Sequence, residues 1–158
     1  MSVFITLTKD EVRLCSILAV ERWLIKWGSV NKLSYAQGKE NGVLEHDLNA
    51  NVRSITAEWA VAKHFGVVCS VPVYPNSDHP TRKDLPDVSH NGEVRTVRTR
   101  TSIPYWEKDR GKLLIGCKVI DADYYSEVEI FGHFKPTFEA AHFDDASQSY
   151  RVPIGEFV

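Results

Sequence analysis

Cysteine is scarce in this chain, and its placement rules out a scaffolding role. Cys15, Cys69 and Cys117 are odd in number and far apart, which excludes a disulfide framework and a zinc-type spacing. They read as small buried hydrophobes in a protein suited to a reducing cytoplasm. Charge of one sign is lacking too: Lys and Arg number 19, Asp and Glu 21, for a net charge of −2 and a pI near 6.3. Proteins that track long duplexes are usually basic, so any nucleic-acid contact here is local, weak or salt-sensitive, or comes from a patch the net charge hides. No apolar run is long enough to span a membrane, and Met1 to Thr8 lacks the basic flank and apolar stretch of a signal peptide. His64, His79, His90, His133 and His142 show no metal-ligand spacing, and there are no repeats, low-complexity tracts or splitting linkers.

What is present is the mix of an ordinary globular protein: 158 residues, 43% hydrophobic and 25% charged, enough for one domain with its own core. Thr8-Lys9-Asp10-Glu11 has the form of a capping box and predicts a helix from about Lys9 to Trp27, stopped by Gly28. Val12, Cys15, Leu18, Ala19, Arg22 and Lys26 recur at helical spacing, and Ile17, Trp23 and Leu24 widen the apolar face. Ser29 to Asn49 is polar and aperiodic and reads as a long loop, of a length usually reserved for functional or mobile segments. A second helix is expected over Ile55 to Phe65, before Gly66. Val67 to Tyr74 reads as a strand ending at Pro75, Asn76 to Leu85 as a loop, and Asp87 to Val97 as a hairpin. Lys112 to Ile120 and Tyr125 to Phe134 read as two strands across an Asp121-Ala122-Asp123 turn, with a short last strand at Tyr150 to Pro153. Helices first and mostly antiparallel strands after them make an α+β fold: N-terminal helices on a sheet of four or five strands. The chain divides into an N-terminal helix and long loop, 1–49, and a core, 50–153, within one domain.

The chemistry concentrates at Pro86-Asp87 and Glu93-Val94-Arg95. Glu93 and Arg95 are two apart on a predicted strand, so their side chains share a face. The position of Asp87 depends on the turn. A two-residue turn at Asn91-Gly92 pairs residue 87 with 96 and turns Asp87 away. A three-residue loop, His90 to Gly92, pairs it with 95 and brings Asp87 beside Glu93 and Arg95. Glu58 is a further candidate, since it lies in the core-facing row Ile55, Glu58, Ala62, Phe65, where a carboxylate is costly unless a metal, a cation or hydrogen bonds satisfy it. The plainer reading is that Glu58 pairs with Arg53 or Lys63, and that Asp87 and Glu93 merely flank a turn. Carboxylates with a backbone carbonyl such as that of Val94 suit Mg²⁺.

Asp87, Glu93 and Arg95 resemble the PD-(D/E)xK nuclease motif, with Pro86-Asp87 as its first half, and Glu58 resembles the acidic helix residue that many of those nucleases carry. The order of ITAEWAVAKHFGV, DVSHNGEVRT, LLIGCKVIDADYYSEVEIFGHF and YRVP is similar to small phage and bacterial proteins of that fold, over about Ala50 to Pro153. The resemblance implies a restriction-endonuclease-like core: a mixed sheet flanked by helices, Mg²⁺ or Mn²⁺ held by Asp87, Glu93 and Glu58, and hydrolysis of nucleic-acid phosphodiester bonds. One position departs from the pattern: Arg95 stands where the family has Lys. Arg does not lose its proton in proteins and cannot act as a base, but it can clamp phosphate.

Lys63, Arg98, Arg100, Lys108, Arg110, Lys112 and Lys118 are candidates for a phosphate-facing patch, Tyr105 and Trp106 for stacking on a base, and His90 for carrying a proton. Solvated charge and core aromatics are the plainer alternatives. DNA is favoured over RNA as the partner, in the cytoplasm of a bacterial host if the chain is phage-encoded. The competing reading keeps the fold and loses catalysis, leaving a regulator that binds nucleic acid or a protein partner.

Overall fold

The computed structural model describes residues 2–26, 44–70, 86–99 and 101–158. The expected helix stop at Gly28, the segments 29–43 and 71–85, and Arg100 lie outside the described residues. Helix α1, Lys9–Lys26, starts at the expected box: Thr8 N–H donates to Glu11 Oε2 at 2.6 Å and Glu11 N–H donates to Thr8 Oγ1 at 3.2 Å. Helix α2, Leu44–Phe65, begins well before the expected Ile55. Residues 44–49, read as loop, form its first turns, because helical backbone carries polar residues wherever one stripe finds a packing partner. The 49/50 division therefore runs through a helix.

Two sheets follow. Strands β1 (Val3–Thr6), β2 (Gly92–Thr96), β4 (Leu113–Val119) and β5 (Glu127–Phe134) form a mixed sheet in the order β1-β5-β4-β2. Strands β3 (Ser102–Tyr105), β6 (Phe143–Asp144) and β7 (Ser149–Pro153) form a second in the order β3-β7-β6. β1 was not foreseen and pairs antiparallel with β5 at the edge. β2 runs parallel to β4, Glu93 beside Leu114 and Val94 beside Ile115, which makes the sheet mixed. Parallel neighbours need a long crossover, and residues 97–112, with β3 inside them, provide it.

The mixed sheet separates two cores. On one side α2, with the small residues Ala57, Ala60 and Ala62, packs on Val94, Ile115, Cys117, Val119, Val128 and Ile130. Cys15 of α1 completes this side, and burial pushes its thiol up to about 12. On the other side Val97 and Leu114 meet Ile103, Tyr105, Val152 and Phe157. The fold is thus α+β, with helices on one face of a four-stranded mixed sheet and a small second sheet on the other.

The β4–β5 register shifts between Gly116 and Cys117: Gly116 pairs with Gly132, and Cys117 with Ile130. Phe131 is the extra residue of this bulge, and its ring covers Gly116, where an added Cβ would collide with the ring. Gly116→Ala is expected to lower stability by about 1–3 kcal/mol through overpacking, measured by denaturant unfolding. Gly116→Ala/Phe131→Leu should recover part of the loss.

Candidate functional site

The segment leading into β2 is a minimal hairpin. Val88 N–H donates to Gly92 O at 3.1 Å, and on its other side Val88 bridges Cys69, while Ser70 N–H donates to Asp87 O at 2.9 Å. The connecting loop is Ser89 to Asn91, with His90 at φ 66° and Asn91 at φ 61°. It has the odd length that brings Asp87 toward Glu93, displaced by one residue from the expected His90 to Gly92. The displacement has a steric cause. Asn tolerates left-handed backbone, whereas Gly92 is needed for closeness: a Cβ there would strike the Val88 side chain. Asp87 consequently folds back on the strand, and Val94 N–H donates to its Oδ2 at 2.9 Å.

Glu93 and Arg95 share the face of β2 that Val97 continues into the second core, while Val94 between them enters the helix-side core. Arg95 Nη1 donates to Glu93 Oε1 at 2.8 Å and Arg95 Nη2 to Asp109 Oδ1 at 2.9 Å. Lys112 Nζ takes the other Glu93 oxygen at 2.8 Å. The fully buried Asp109 also accepts Trp106 N–H through Oδ2 at 2.9 Å, which closes the turn Glu107–Asp109. The Arg95 guanidinium lies 5.9 Å from the Trp106 ring centroid and the Lys108 ammonium 5.5 Å from it. Burial opposes the charge on Glu93, but Arg95 and Lys112 outweigh it and hold the carboxyl below its ordinary range. Asp109 was not anticipated. In sequence it is one turn-forming Asp among several, and only the crossover carries it to Arg95.

Glu58 is buried, as its row on α2 implies, but its partner is neither Arg53 nor Lys63. Arg22 of α1 grips both its oxygens at 3.1 Å, and Ser54 Oγ donates to Oε1 at 3.0 Å. Arg53 instead reaches Asp121 and the Tyr125 hydroxyl. Lys63 donates to Thr6 O at 3.0 Å and to Glu11 at 2.8 Å. Glu58 belongs to the helix side of the sheet and Glu93 to the opposite face. Asp87, at the edge strand, feels both. Its burial, then the charges of Glu58 and Glu93, push its carboxyl up to about 8, against the pull of Arg95 and of the Val94 N–H.

Hard carboxylate oxygens are the right donors for Mg²⁺ or Mn²⁺. Among the described residues no group of three or more His, Cys, Asp or Glu is placed to hold an ion together. Both Glu93 oxygens are occupied, by Arg95 and Lys112, and one Asp87 oxygen accepts Val94 N–H. Glu58, both oxygens on Arg22, raises the Asp87 carboxyl through its charge.

The outlying candidates divide. Lys108 stands at the half-exposed Trp106 beside the site. Arg110 pairs with Glu107 and lies 4.0 Å from the Phe138 ring centroid. Arg98 is exposed and 3.6 Å from Asp121, and lines an open groove with Thr99 and Lys118. Tyr105 is fully buried among Phe134, Phe138 and Tyr150 and donates to Thr137 O at 2.6 Å, so it is not free to stack on a base. His90 is exposed at the loop tip.

Removing one member of a buried ion pair strands the other charge. Arg22→Met is therefore expected to cost about 3–5 kcal/mol, and Arg22→Met/Glu58→Met considerably less, as read by chemical denaturation. The Asp87 carboxyl, ordinarily near 3.8 and here near 8, keeps its proton in the folded state over a range where the unfolded chain has released it. Stability therefore falls as pH rises from about 4 to about 8. Asp87→Asn should be more stable than wild type at pH 8, with the difference vanishing below pH 4, in paired thermal melts across that range.

No family model matches the chain, and neither a curated protein nor a solved structure shows significant similarity to it.

Proposed function

We propose that this chain is a metal-dependent nuclease-type protein acting on nucleic-acid phosphodiester bonds, with DNA favoured over RNA. The observation that carries the reading is the placement of Asp87 and Glu93 at one sheet edge, Asp87 tied to Val94 N–H and Glu93 next to two cations. Asp87 and Glu93 would hold Mg²⁺ or Mn²⁺, with Glu58 as an outer carboxylate. Such an ion supplies polarisation of the phosphate and a water of lowered pKa.

The chain's own groups do the rest. Val94 N–H orients Asp87. Arg95, fixed between Glu93 and Asp109, is a permanent cation that can stabilise charge developing on phosphate but cannot accept a proton. Lys112 is held through one ammonium contact with Glu93 and is the cation an incoming divalent ion would displace. Lys108, Arg98 and Arg110 supply backbone contacts, and the half-exposed Trp106 offers a stacking surface.

A second reading rests on a specific observation. Both oxygens of Glu93 and both of Glu58 already carry cations, and Arg95 is held at two points. That favours a nuclease-type fold which binds nucleic acid, or a protein partner, as a regulator without cutting. One experiment separates the two: incubation with double-stranded DNA, single-stranded DNA and RNA, with and without millimolar Mg²⁺ or Mn²⁺. The nuclease reading expects metal-dependent cleavage lost in Asp87→Ala and Glu93→Ala, and a metal-dependent rise in Tm. Cleavage that survives both substitutions removes the site. Binding without cleavage, and a Tm that metal leaves unchanged, supports the regulator.

A further inference from the structure

Helix α1 is apolar on more sides than its own fold uses. Cys15, Ala19 and Arg22 are buried toward α2. The opposite side carries Leu14, Ile17, Val20 and Leu24, which are 39%, 54%, 38% and 48% exposed. At steps of three, three and four these form a stripe along the helix. A contiguous exposed apolar stripe marks an interaction surface more often than scattered single residues do.

The charges beside the stripe choose the occupant. Arg13 and Glu21 lie on the same exposed side, four positions before and four after Ile17, and Leu14 and Val20 lie three before and three after it. This pattern is complementary to itself when reversed. In an antiparallel pairing about a two-fold axis at Ile17, Ile17 meets its own copy, Leu14 meets Val20, and Arg13 meets Glu21, each contact occurring twice as an isologous interface requires. A parallel pairing would set Arg13 against Arg13 and Glu21 against Glu21. Asp10 falls opposite Leu24 at the rim, where its neighbour Arg13 lies 3.8 Å away in its own chain. That intrachain pair is 66% and 90% exposed and can give way to the contact between copies, because exposed ion pairs contribute little.

We propose that α1 is a self-association surface, on which two copies of this chain pack α1 against α1 in antiparallel fashion about Ile17. A single helix on each side makes a small interface, so the dimer is weak and concentration-dependent. The proposal does not rest on the nuclease reading.

The test is the mass of the full chain by sedimentation equilibrium across the micromolar range. Wild type should rise from 17.9 kDa toward twice that mass, and Ile17→Glu should hold it at the monomer. Arg13→Glu and Glu21→Arg should each weaken association about tenfold or more, by setting like charges opposite one another. Arg13→Glu/Glu21→Arg should restore it. An equimolar mixture of the two single variants should associate as well, because each then offers the charge the other lacks. All three substituted positions are exposed, so an unchanged Tm confirms that each variant is folded. A wild type that stays monomeric, a dimer that survives Ile17→Glu, or a double exchange that fails to recover would each overturn the proposal, including the case where another macromolecule covers the stripe.

Discussion

The parallel register of β2 on β4 is the constraint from which the rest of this molecule follows. Parallel neighbours cannot be joined by a tight turn, so the chain leaves β2 and builds β3 and the Glu107–Asp109 turn before it returns. That excursion carries Asp109, Trp106 and Lys112 to the face where Glu93 and Arg95 project. The period of two along a strand sends Val94 the other way, into the core beneath α2. One pairing thus decides which charges meet and which apolar residues are shared between layers.

Electrostatics divides along the same plane. On the helix side Glu58 is neutralised by a two-point grip from Arg22. On the other face Glu93 has two cations and Arg95 two carboxylates. Asp87 sits between these compensated groups with a single backbone donor of its own. In a buried setting the charged form of such a carboxyl is disfavoured unless a cation arrives. This is where the fold keeps an unbalanced acid, its carboxyl raised by burial and by the charges of Glu58 and Glu93. The same logic separates Arg95 from Lys112: the guanidinium is fixed at two points, by Glu93 and Asp109, and the ammonium at one, by Glu93.

Much of the frame was legible in the chain. The capping box at Thr8, the row containing Glu58, the two-residue spacing of Glu93 and Arg95, and the strands ending near Val119, Phe134 and Pro153 are local patterns with local causes. Apart from the one-residue displacement of the loop before Gly92, the misses are non-local. Residues 44–49 are polar enough to read as loop and become helix because α1 and the sheet stabilise the stripe beyond them. β1 is only four residues long, too short to announce itself without β5 beside it. The partner of Glu58 was sought on its own helix, at Arg53 and Lys63, when Arg22 on another helix reaches it. The sequence leaves Tyr105 open between base stacking and the core, because its burial comes from Phe134, Phe138 and Tyr150, which are remote in sequence.

By itself the sequence determined the helix start at Thr8, the order of the main elements, and the common face of Glu93 and Arg95. These depend on residue identity and on spacings of two to four positions, which act within a turn or a strand. Only the tertiary structure decided that β2 lies parallel to β4, that Asp109 and Lys112 complete the Arg95–Glu93 network, and that Arg22 neutralises Glu58. Each of these is a choice among partners distant in the chain, set by which pairing buries the most apolar surface while leaving the fewest charges unmatched.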